Sequence, residues 1–285
     1  MLLALAVLSW AGNWVIGRAM RHDIGPVAMG FWRWSLALLL ILPLCWHELR
    51  EKWHVVRRDW WRLMALGAIG AVAFNTMVYV GLQFTETTNS TLFNSVVPIY
   101  IVVISWLFFG EKISIRQAAG IALSLTGVLT IMSRGDPVVL ASLRINAGDL
   151  WILVAMLLWS AYTILLRWRP PELSAIAFLG AMLIPSLPLL VPFYGWELYQ
   201  RGTFDVTPAN LAALAYYATI PSVIAYLFWN RGVAQVGASR AGLIVHLLPV
   251  FTVLLSMLFL GERLFLFHYV GAACVFTGIA LTTRV

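Results

Sequence analysis

Apolar runs follow one another along almost the whole of this chain, with only short polar or charged breaks between them. Each run is close to the ~20 residues that a helix needs to cross the ~30 Å hydrocarbon core of a bilayer. Only 11% of the 285 residues are charged, against roughly 25% in a soluble domain. The runs also lack the two-residue alternation of membrane strands. The sequence therefore predicts an all-α polytopic membrane protein that is surrounded by the lipid bilayer.

Length and hydropathy predict ten transmembrane helices. The breaks between them contain glycine, proline or charged residues, and they leave no room for a soluble domain. The first run lacks a basic leading segment and a cleavage site, so we interpret it as a retained helix. The predicted spans are 2–20, 27–46, 61–83, 87–109, 113–133, 147–168, 174–195, 208–230, 238–260 and 264–283.

An internal repeat relates the two halves of the chain. The segment 92–111, LFNSVVPIYIVVISWLFFGE, returns at 243–262 as LIVHLLPVFTVLLSMLFLGE. The copies share residues that chance would rarely align in an apolar chain: Pro98 with Pro249, Ser105 with Ser256, and Gly110-Glu111 with Gly261-Glu262. The same spacing of 151 residues relates Gly81 to Gly232, Gly120 to Gly271 and Gly127 to Gly278, and a spacing of 149 relates Trp10 to Trp159. Such a period is the signature of a repeated structural unit.

Each half is predicted to contain five helices. The first repeat covers 1–136, a linker covers 137–146, and the second repeat covers 147–285. Because five is odd, the second copy enters the membrane in the opposite direction to the first. The prediction is therefore two inverted five-helix repeats around a central cavity.

The distribution of lysine and arginine predicts the orientation. Alternate connections carry twelve basic residues on one side of the membrane and six on the other. Positive residues accumulate on the cytoplasmic side, so both termini are predicted to be cytoplasmic. The formal charge of +7 is explained by these connections and does not predict nucleic-acid binding. Cys45 and Cys274 have no ligand spacing around them and are interpreted as structural.

Motifs of enzymes are absent from the sequence, including those of zinc peptidases, phosphate-binding loops and serine hydrolases. No cofactor or metal site is predicted. Inverted repeats build two exchangeable conformations around a site near the midplane. We therefore expect a transporter of a small molecule, with a channel or an intramembrane enzyme as less favoured alternatives.

Polar side chains inside apolar runs predict which helices line the cavity, because a polar group that faces lipid is costly. The first, third, fourth, sixth, eighth and ninth helices carry such residues at helical spacing. The candidate substrate-binding residues are Trp10, Asn13, Trp14, Asn75, Tyr79, Asn94, Pro98, Trp159, Tyr162, Tyr226, Asn230, His246 and Pro249. The fifth and tenth helices carry small residues instead, which predict close packing within the protein or in a homodimer.

Pro98 and Pro249 are predicted to break the fourth and ninth helices. Proline lacks an N–H, so the carbonyls of Asn94 and Val245 are expected to lose their helical partners. Inverted halves would place one break on each side of the midplane. A plain kink with no role in binding is the alternative.

Two further residues leave alternatives open. Arg33 is the one basic residue well inside an apolar run; it could receive a substrate carboxylate, or it could snorkel or pair with a loop acid such as Asp23. His246, one turn before Pro249, could bind substrate or exchange protons, or it could be a neutral histidine bonded to a neighbouring helix.

Acidic residues are absent from the middle of every predicted helix. Glu111 and Glu262 fall at helix ends and are interpreted as interfacial caps. A carboxylate proton relay is therefore not expected, and facilitated exchange or weak coupling is predicted. Deep aromatic residues beside amide and hydroxyl groups would suit a flat, partly apolar solute or an organic cation.

Four motifs carry a resemblance to a known family. They are W-x-x-N-W in the first helix, P-x4-F-W-R in the second, T-x-N-S-T-L-x-N-S-x-x-P in the fourth, and F-x-G-E at the end of each repeat. This combination resembles the EamA-type members of the drug/metabolite transporter superfamily, over the whole chain. The aromatic lining looks most like that of bacterial aromatic amino-acid exporters.

The resemblance implies two inverted five-helix halves, alternating access, and export through the bacterial inner (plasma) membrane. The sequence departs from symmetry at Arg33, because the equivalent position in the second half is Met182. A lone arginine also disfavours phosphorylated substrates. We expect an exporter of aromatic or other neutral amino acids and similar metabolites; the alternative is a multidrug exporter of organic cations.

Overall fold

The secondary structure of the described residues is helical, with no strand among them. The structure is a computed structural model that describes residues 1–85, 87–141, 145–260 and 263–283. Within those ranges, the side chains of residues 14, 15, 17–19, 21, 87–89, 259, 260 and 283 are not described. The Gly261-Glu262 pair of the sequence repeat thus lies outside the described residues.

The helices occupy the spans that the hydropathy pattern predicted. Along residues 1–136 they are α1 (Leu2–Ala19), α2 (Pro26–Glu51), α3 (Trp60–Phe84), α4 (Thr87–Asn94 and Val97–Phe109) and α5 (Ile115–Met132). Along residues 147–285 they are α6 (Ala147–Trp168), α7 (Ala175–Arg201), α8 (Pro208–Val236), α9 (Ala238–Ile244 and Leu247–Leu260) and α10 (Leu266–Thr283). Short helices at Trp53–Arg58 and Pro137–Ala141 lie in connections.

Eight stretches in α2 to α9 are long and apolar enough to cross a membrane, counted over the described part of the chain. Shorter apolar helices lie at Leu2–Asn13, within α1, and at Leu266–Thr282, within α10. The chain is thus an all-α, multi-pass membrane protein, as the sequence predicted.

Two acidic side chains are buried at helix ends, where they cap backbone N–H groups. Asp149 is fully buried at the start of α6 and accepts a hydrogen bond from the backbone N–H of Asn146 at 2.9 Å. It also accepts from the hydroxyl of Thr85 at the end of α3. Glu197 of α7 accepts from the backbone N–H groups of Val27 and Ala28, at 3.0 and 2.7 Å, in the first turn of α2. Since orphan N–H groups attract carboxylates, both acids have structural partners.

Helices α4 and α9 are broken, as predicted, but the breaks lie ahead of the prolines. Ser95 and Val96 form a turn between the segments of α4, and Val245 and His246 do so in α9. In both turns, i to i+3 backbone bonds replace the α-helical ones. The prediction that the carbonyl of Val245 lacks a partner is wrong, because this carbonyl accepts a hydrogen bond from the N–H of Leu248 at 2.9 Å. A tightened turn re-pairs carbonyls that a continuous helix would lose to proline.

A second pair of irregular segments lies in α3 and α8. Ala68–Ala73 and Ala218–Ile224 are π-helical. A π-helical turn widens the backbone and frees carbonyl groups from the regular ladder, which is common at functional sites. The freed carbonyls include those of Gly70 and Pro221, and both accept side-chain hydrogen bonds at the centre of the protein.

Helices α5 and α10 pack with their backbones in close approach. A Cβ on Gly127 would lie 2.5 Å from the carbonyl oxygen of Gly271, and a Cβ on Gly278 would lie 2.5 Å from that of Gly120. Only glycine permits such an approach, which is how small residues drive association of helices in membranes. These glycines therefore pack closely, as predicted, and they do so against each other within one chain.

We expect Gly127→Ala to lower the thermal stability of the protein. The added methyl group would meet backbone atoms of α10 that cannot rotate away, and overpacking of this kind costs roughly 1–3 kcal/mol. The matched control is Gly195→Ala in α7, where a Cβ would meet nothing within 4 Å and alanine is the better helix former. Thermal unfolding in detergent, followed by tryptophan fluorescence, distinguishes the two variants. Equal unfolding temperatures for the two variants would contradict the close contact between α5 and α10.

Candidate functional site

Arg33 of α2 lies at the centre of the protein with 1% of its surface exposed. Its Nε donates to the hydroxyl oxygen of Ser222 at 2.5 Å. Its Nη1 donates to Oδ1 of Asn75 at 2.7 Å and to the hydroxyl oxygen of Tyr79 at 2.9 Å. Its Nη2 donates to the carbonyl oxygen of Pro221 at 3.1 Å. These four partners are uncharged, so dipoles solvate the buried positive charge, and no carboxylate of the described residues forms an ion pair with it.

Aromatic rings hold the guanidinium from two sides. Its Cζ lies 5.1 Å from the ring centroid of Trp34 and 5.7 Å from that of Tyr217. Such cation–π contacts gain strength when the charge is removed from water. The hydroxyl of Tyr217 donates to the carbonyl of Asn13 at 2.8 Å, and Asn13 Oδ1 is 3.4 Å from Nη1 of Arg33. Residues of α1, α2 and α8 are thereby joined around one charge.

A cluster of aromatic rings lies beside this charge. Trp10 and Trp159 meet edge to face, with centroids 5.0 Å apart. Phe74 and Tyr226 contact Trp159 at centroid distances of 4.8 and 5.5 Å. The Nε1 of Trp10 donates to the carbonyl of Pro221 at 2.9 Å. This carbonyl, freed by the π-helical segment, therefore joins the aromatic cluster to the guanidinium.

A small cavity of about 40 Å³ lies between the charge and the rings. Its lining consists of Val7, Trp10, Asn13, Arg33, Phe74, Asn75, Asn94, Trp159, Tyr226, Val245 and Leu248. This volume is far below the roughly 300–1,000 Å³ of small-molecule sites. The cavity has a polar, positively charged wall and an aromatic wall, and in this conformation its volume is too small for a small-molecule substrate.

The structure brings seven of the predicted site residues to this cavity. They are Trp10, Asn13, Arg33, Asn75, Asn94, Trp159 and Tyr226. Tyr79 lies behind them as a partner of Arg33. The side chain of Trp14 lies outside the described residues.

Other predicted residues lie farther from the cavity. Tyr162 donates to Oδ1 of Asn230 at 2.7 Å, and neither residue lines it. Pro98 and Pro249 are buried in the second segments of α4 and α9, and they do not line it either.

His246 connects three helices. Its Nε2 donates to the carbonyl of Ser95 at 2.9 Å, which joins the break in α9 to the break in α4. In the neutral ring, Nδ1 accepts from the hydroxyl of Ser124 in α5 at 2.7 Å. This is the bonded, buried histidine that the sequence left open as an alternative. Likewise Arg33 neither snorkels nor pairs with Asp23.

Several contributors were missed from the sequence. Phe74 lines the cavity, Pro221 supplies the shared carbonyl, and Trp34 and Tyr217 flank the guanidinium. A signal existed for Pro221, since it is a proline inside a predicted span, as Pro98 and Pro249 are. Trp34 and Tyr217 carried no signal that separates them from other aromatic residues in apolar runs.

Comparison with known proteins places the chain in a family. The model of the EamA-like transporter family matches residues 1–133 and 146–284. A solved crystal structure superposes with a TM-score of 0.77 and 16% identity, covering 99% of this chain and 95% of the other. That likeness shows a shared fold.

Relatives are similar over nearly their full lengths. "Uncharacterized transporter YyaM" of Bacillus subtilis (strain 168) is 27% identical over 271 residues, 91% of this chain and 85% of its own. An "Uncharacterized transporter" of Archaeoglobus fulgidus is 27% identical over 290 residues, 99% and 96% of the two chains. The "Probable terminal-alkyne amino-acid exporter" of Streptantibioticus cattleyicolor is 22% identical over 293 residues, 99% and 92%. Because the family model accounts for nearly the whole chain, this multi-pass membrane protein belongs to the EamA-like transporter family and is a transporter, not an enzyme.

Proposed function

We propose that this transporter exports aromatic or other neutral amino acids and similar small metabolites across the bacterial inner membrane by alternating access. The observation that carries the proposal is the uncompensated charge of Arg33 opposite the rings of Trp10, Trp159 and Tyr226. A carboxylate on the substrate would neutralise the guanidinium through its planar fork. The substrate's apolar side chain would pack on the rings.

The remaining polar groups suit an α-amino group. Asn13 and Asn94 line the cavity, and their amide oxygens can accept from an ammonium group. Tyr79, Tyr162, Asn230, His246, Pro98 and Pro249 are assigned supporting roles behind the cavity wall. The assignment of Trp14 to the lining stays a prediction from the sequence.

The charge of Arg33 disfavours the alternative substrate class. An organic cation in this cavity would meet a buried positive charge, and none of the cavity's lining residues is acidic. Like charges in a medium of low dielectric constant repel strongly. The relative named as an amino-acid exporter supports the same choice, at 22% identity.

The proposed architecture is ten membrane crossings in two inverted halves, 1–136 and 147–285, joined by the linker 137–146. Residues at equivalent positions of the sequence repeat touch one another, which is expected only close to a two-fold axis. The pairs are Trp10 with Trp159, Asn75 with Tyr226, and Ser95 with His246. The glycine contacts between α5 and α10 are also related by the repeat. Gly120 meets Gly278, and the equivalents of these two residues, Gly271 and Gly127, meet each other. With basic connections inside, both termini would be cytoplasmic.

Alternating access accounts for the small volume of the cavity. An open cleft of about 420 Å³ lies at one end of the same helices, beside an ion pair in which Arg167 Nη2 is 2.9 Å from Glu111 Oε1. This pair joins the end of α4 to the end of α6. Rocking of the two halves would separate it and enlarge the cavity toward that side.

We expect Arg33→Lys to reduce phenylalanine uptake at least tenfold. The ammonium group keeps the charge but loses the planar fork, and hydrogen bonds to charged groups contribute roughly 1.5–3 kcal/mol. Uptake into proteoliposomes gives the measurement, with Arg116→Lys on exposed α5 as the control.

Competition by phenethylamine, which lacks the carboxylate, should be weak in the wild type. If phenethylamine competes as well as phenylalanine, the substrate is an organic cation.

We expect Trp159→Ala to raise the KM for phenylalanine about tenfold and to affect alanine less. The variant removes a wall of the cavity, and each aromatic contact contributes roughly 0.5–1.5 kcal/mol beyond its burial. Trp151→Ala on the same helix is the control, because that ring is 42% exposed. Trp159→Phe keeps an aromatic wall and should show an intermediate KM. Unchanged kinetics in both Trp159 variants would remove this ring from the site.

Counterflow tests the carrier mechanism. Unlabelled substrate inside liposomes should accelerate entry of labelled substrate, because a carrier returns faster when loaded. Dissipating the pH gradient should leave uptake unchanged, since the buried acids have structural partners and no described acid lines the cavity: Asp149 and Glu197 cap helices, and Asp59 is paired with Arg58 and Arg62. Ion-like conductance without trans-stimulation would indicate a channel, and collapse of uptake with the gradient would indicate proton coupling.

A further inference from the structure

An apolar cleft of about 690 Å³ lies at one edge of the helix bundle, away from the central cavity. Its walls are the end of α2, the short helix Trp53–Arg58, the start of α3 and the middle of α7. Three tryptophans, Trp46, Trp53 and Trp60, line it and are each more than half exposed. Tryptophans concentrate at the level of lipid headgroups, so the cleft opens to the bilayer near one of its interfaces.

Five basic residues belong to this part of the chain, and they divide into two groups. Lys52, Arg58 and Arg62 form ion pairs with Glu48, Asp59 and Glu172 at 2.7 to 3.0 Å. Arg50 and Arg57 have no carboxylate partner among the described residues. The cleft is lined by these two arginines and by none of the three paired residues.

The unpaired arginines are placed at the rim. The Cζ of Arg50 lies 5.8 Å from the ring centroid of Trp46, a cation–π contact that holds the guanidinium beside the cleft. Arg57 follows one helical turn after Trp53, at the exposed end of the short helix. Two positive charges thus border an apolar cleft whose volume falls within the roughly 300–1,000 Å³ of small-molecule sites.

We propose that this cleft binds one anionic phospholipid. An acyl chain lies along Leu49, Leu63 and Ile184 in the cleft, and the phosphate group is bound between Arg50 and Arg57. Basic pockets between membrane helices on the cytoplasmic side suit anionic headgroups for this reason. The site does not depend on the identity of the transported substrate.

The charge distribution selects an anionic lipid over a zwitterionic one. A choline or ethanolamine headgroup adds a cation that would need an acidic neighbour, and no acid lines the cleft. Three of the nearby acids are already paired: Glu48 with Lys52, Asp59 with Arg58 and Arg62, and Glu172 with Arg58. The fourth, Glu51, lies beside His47 and does not line the cleft. A net negative headgroup therefore complements the rim better than a neutral one.

Titration of phosphatidylglycerol or phosphatidylcholine into delipidated, detergent-solubilised protein tests the proposal, with bound lipid counted by native mass spectrometry. The wild type should prefer phosphatidylglycerol. Arg50→Gln with Arg57→Gln should weaken that binding about thirtyfold, since each basic group near an anionic surface contributes roughly fivefold. Arg116→Gln, also exposed and lacking an ion pair among the described residues but away from the cleft, should bind as the wild type does.

A second variant separates the acyl chain from the headgroup. Ile184→Trp fills the cleft at a position that is 43% exposed and leaves both arginines in place, so it should weaken binding of both lipids. Thermal unfolding checks that each variant is folded. The proposal is overturned if the double variant keeps its preference, if Arg116→Gln loses it equally, or if Ile184→Trp binds both lipids normally.

Discussion

A guanidinium buried away from water is stable only where other dipoles replace the water it has lost. Arg33 of α2 meets this requirement through an amide, two hydroxyls and a backbone carbonyl drawn from α3 and α8. The arrangement of the central site depends on this requirement, because all four groups must point at the same guanidinium. Its positive charge is solvated but has no carboxylate partner among the described residues, and the proposed substrate carboxylate would supply one.

The backbone contributes to this site through its irregular segments. Exposed carbonyls at membrane depth are tolerated only where protein surrounds them. The carbonyls of Gly70 and Pro221 are such groups, and they accept hydrogen bonds from Tyr226 and Arg33, two residues that line the cavity. The breaks in α4 and α9 are likewise paired with each other through His246. Irregular backbone is thus concentrated in α3, α4, α8 and α9, whereas α5 and α10 are regular and closely packed.

Much of the fold followed from the sequence. Apolar length located each helix to within a few residues, although α2, α7 and α8 extend five or six residues beyond their predicted ends. Polar residues inside apolar runs identified seven residues of the cavity lining. Tyr162, Asn230 and His246 satisfied the same rule and lie elsewhere, because a polar group in a membrane helix needs a partner but not a cavity.

The sequence by itself determined that this is a helical membrane protein with an internal sequence repeat, because hydropathy and the repeat spacing are properties of the chain alone, and its motifs indicated the transporter family. Only the tertiary structure decided which polar residues meet. Helical periodicity shows which residues share a face, but not which neighbour that face contacts. The π-helical segments of α3 and α8 also rotate the residues that follow them, which no regular period anticipates. The partners of Arg33, and the division between paired and unpaired arginines at the interface, are therefore properties of the packed helices.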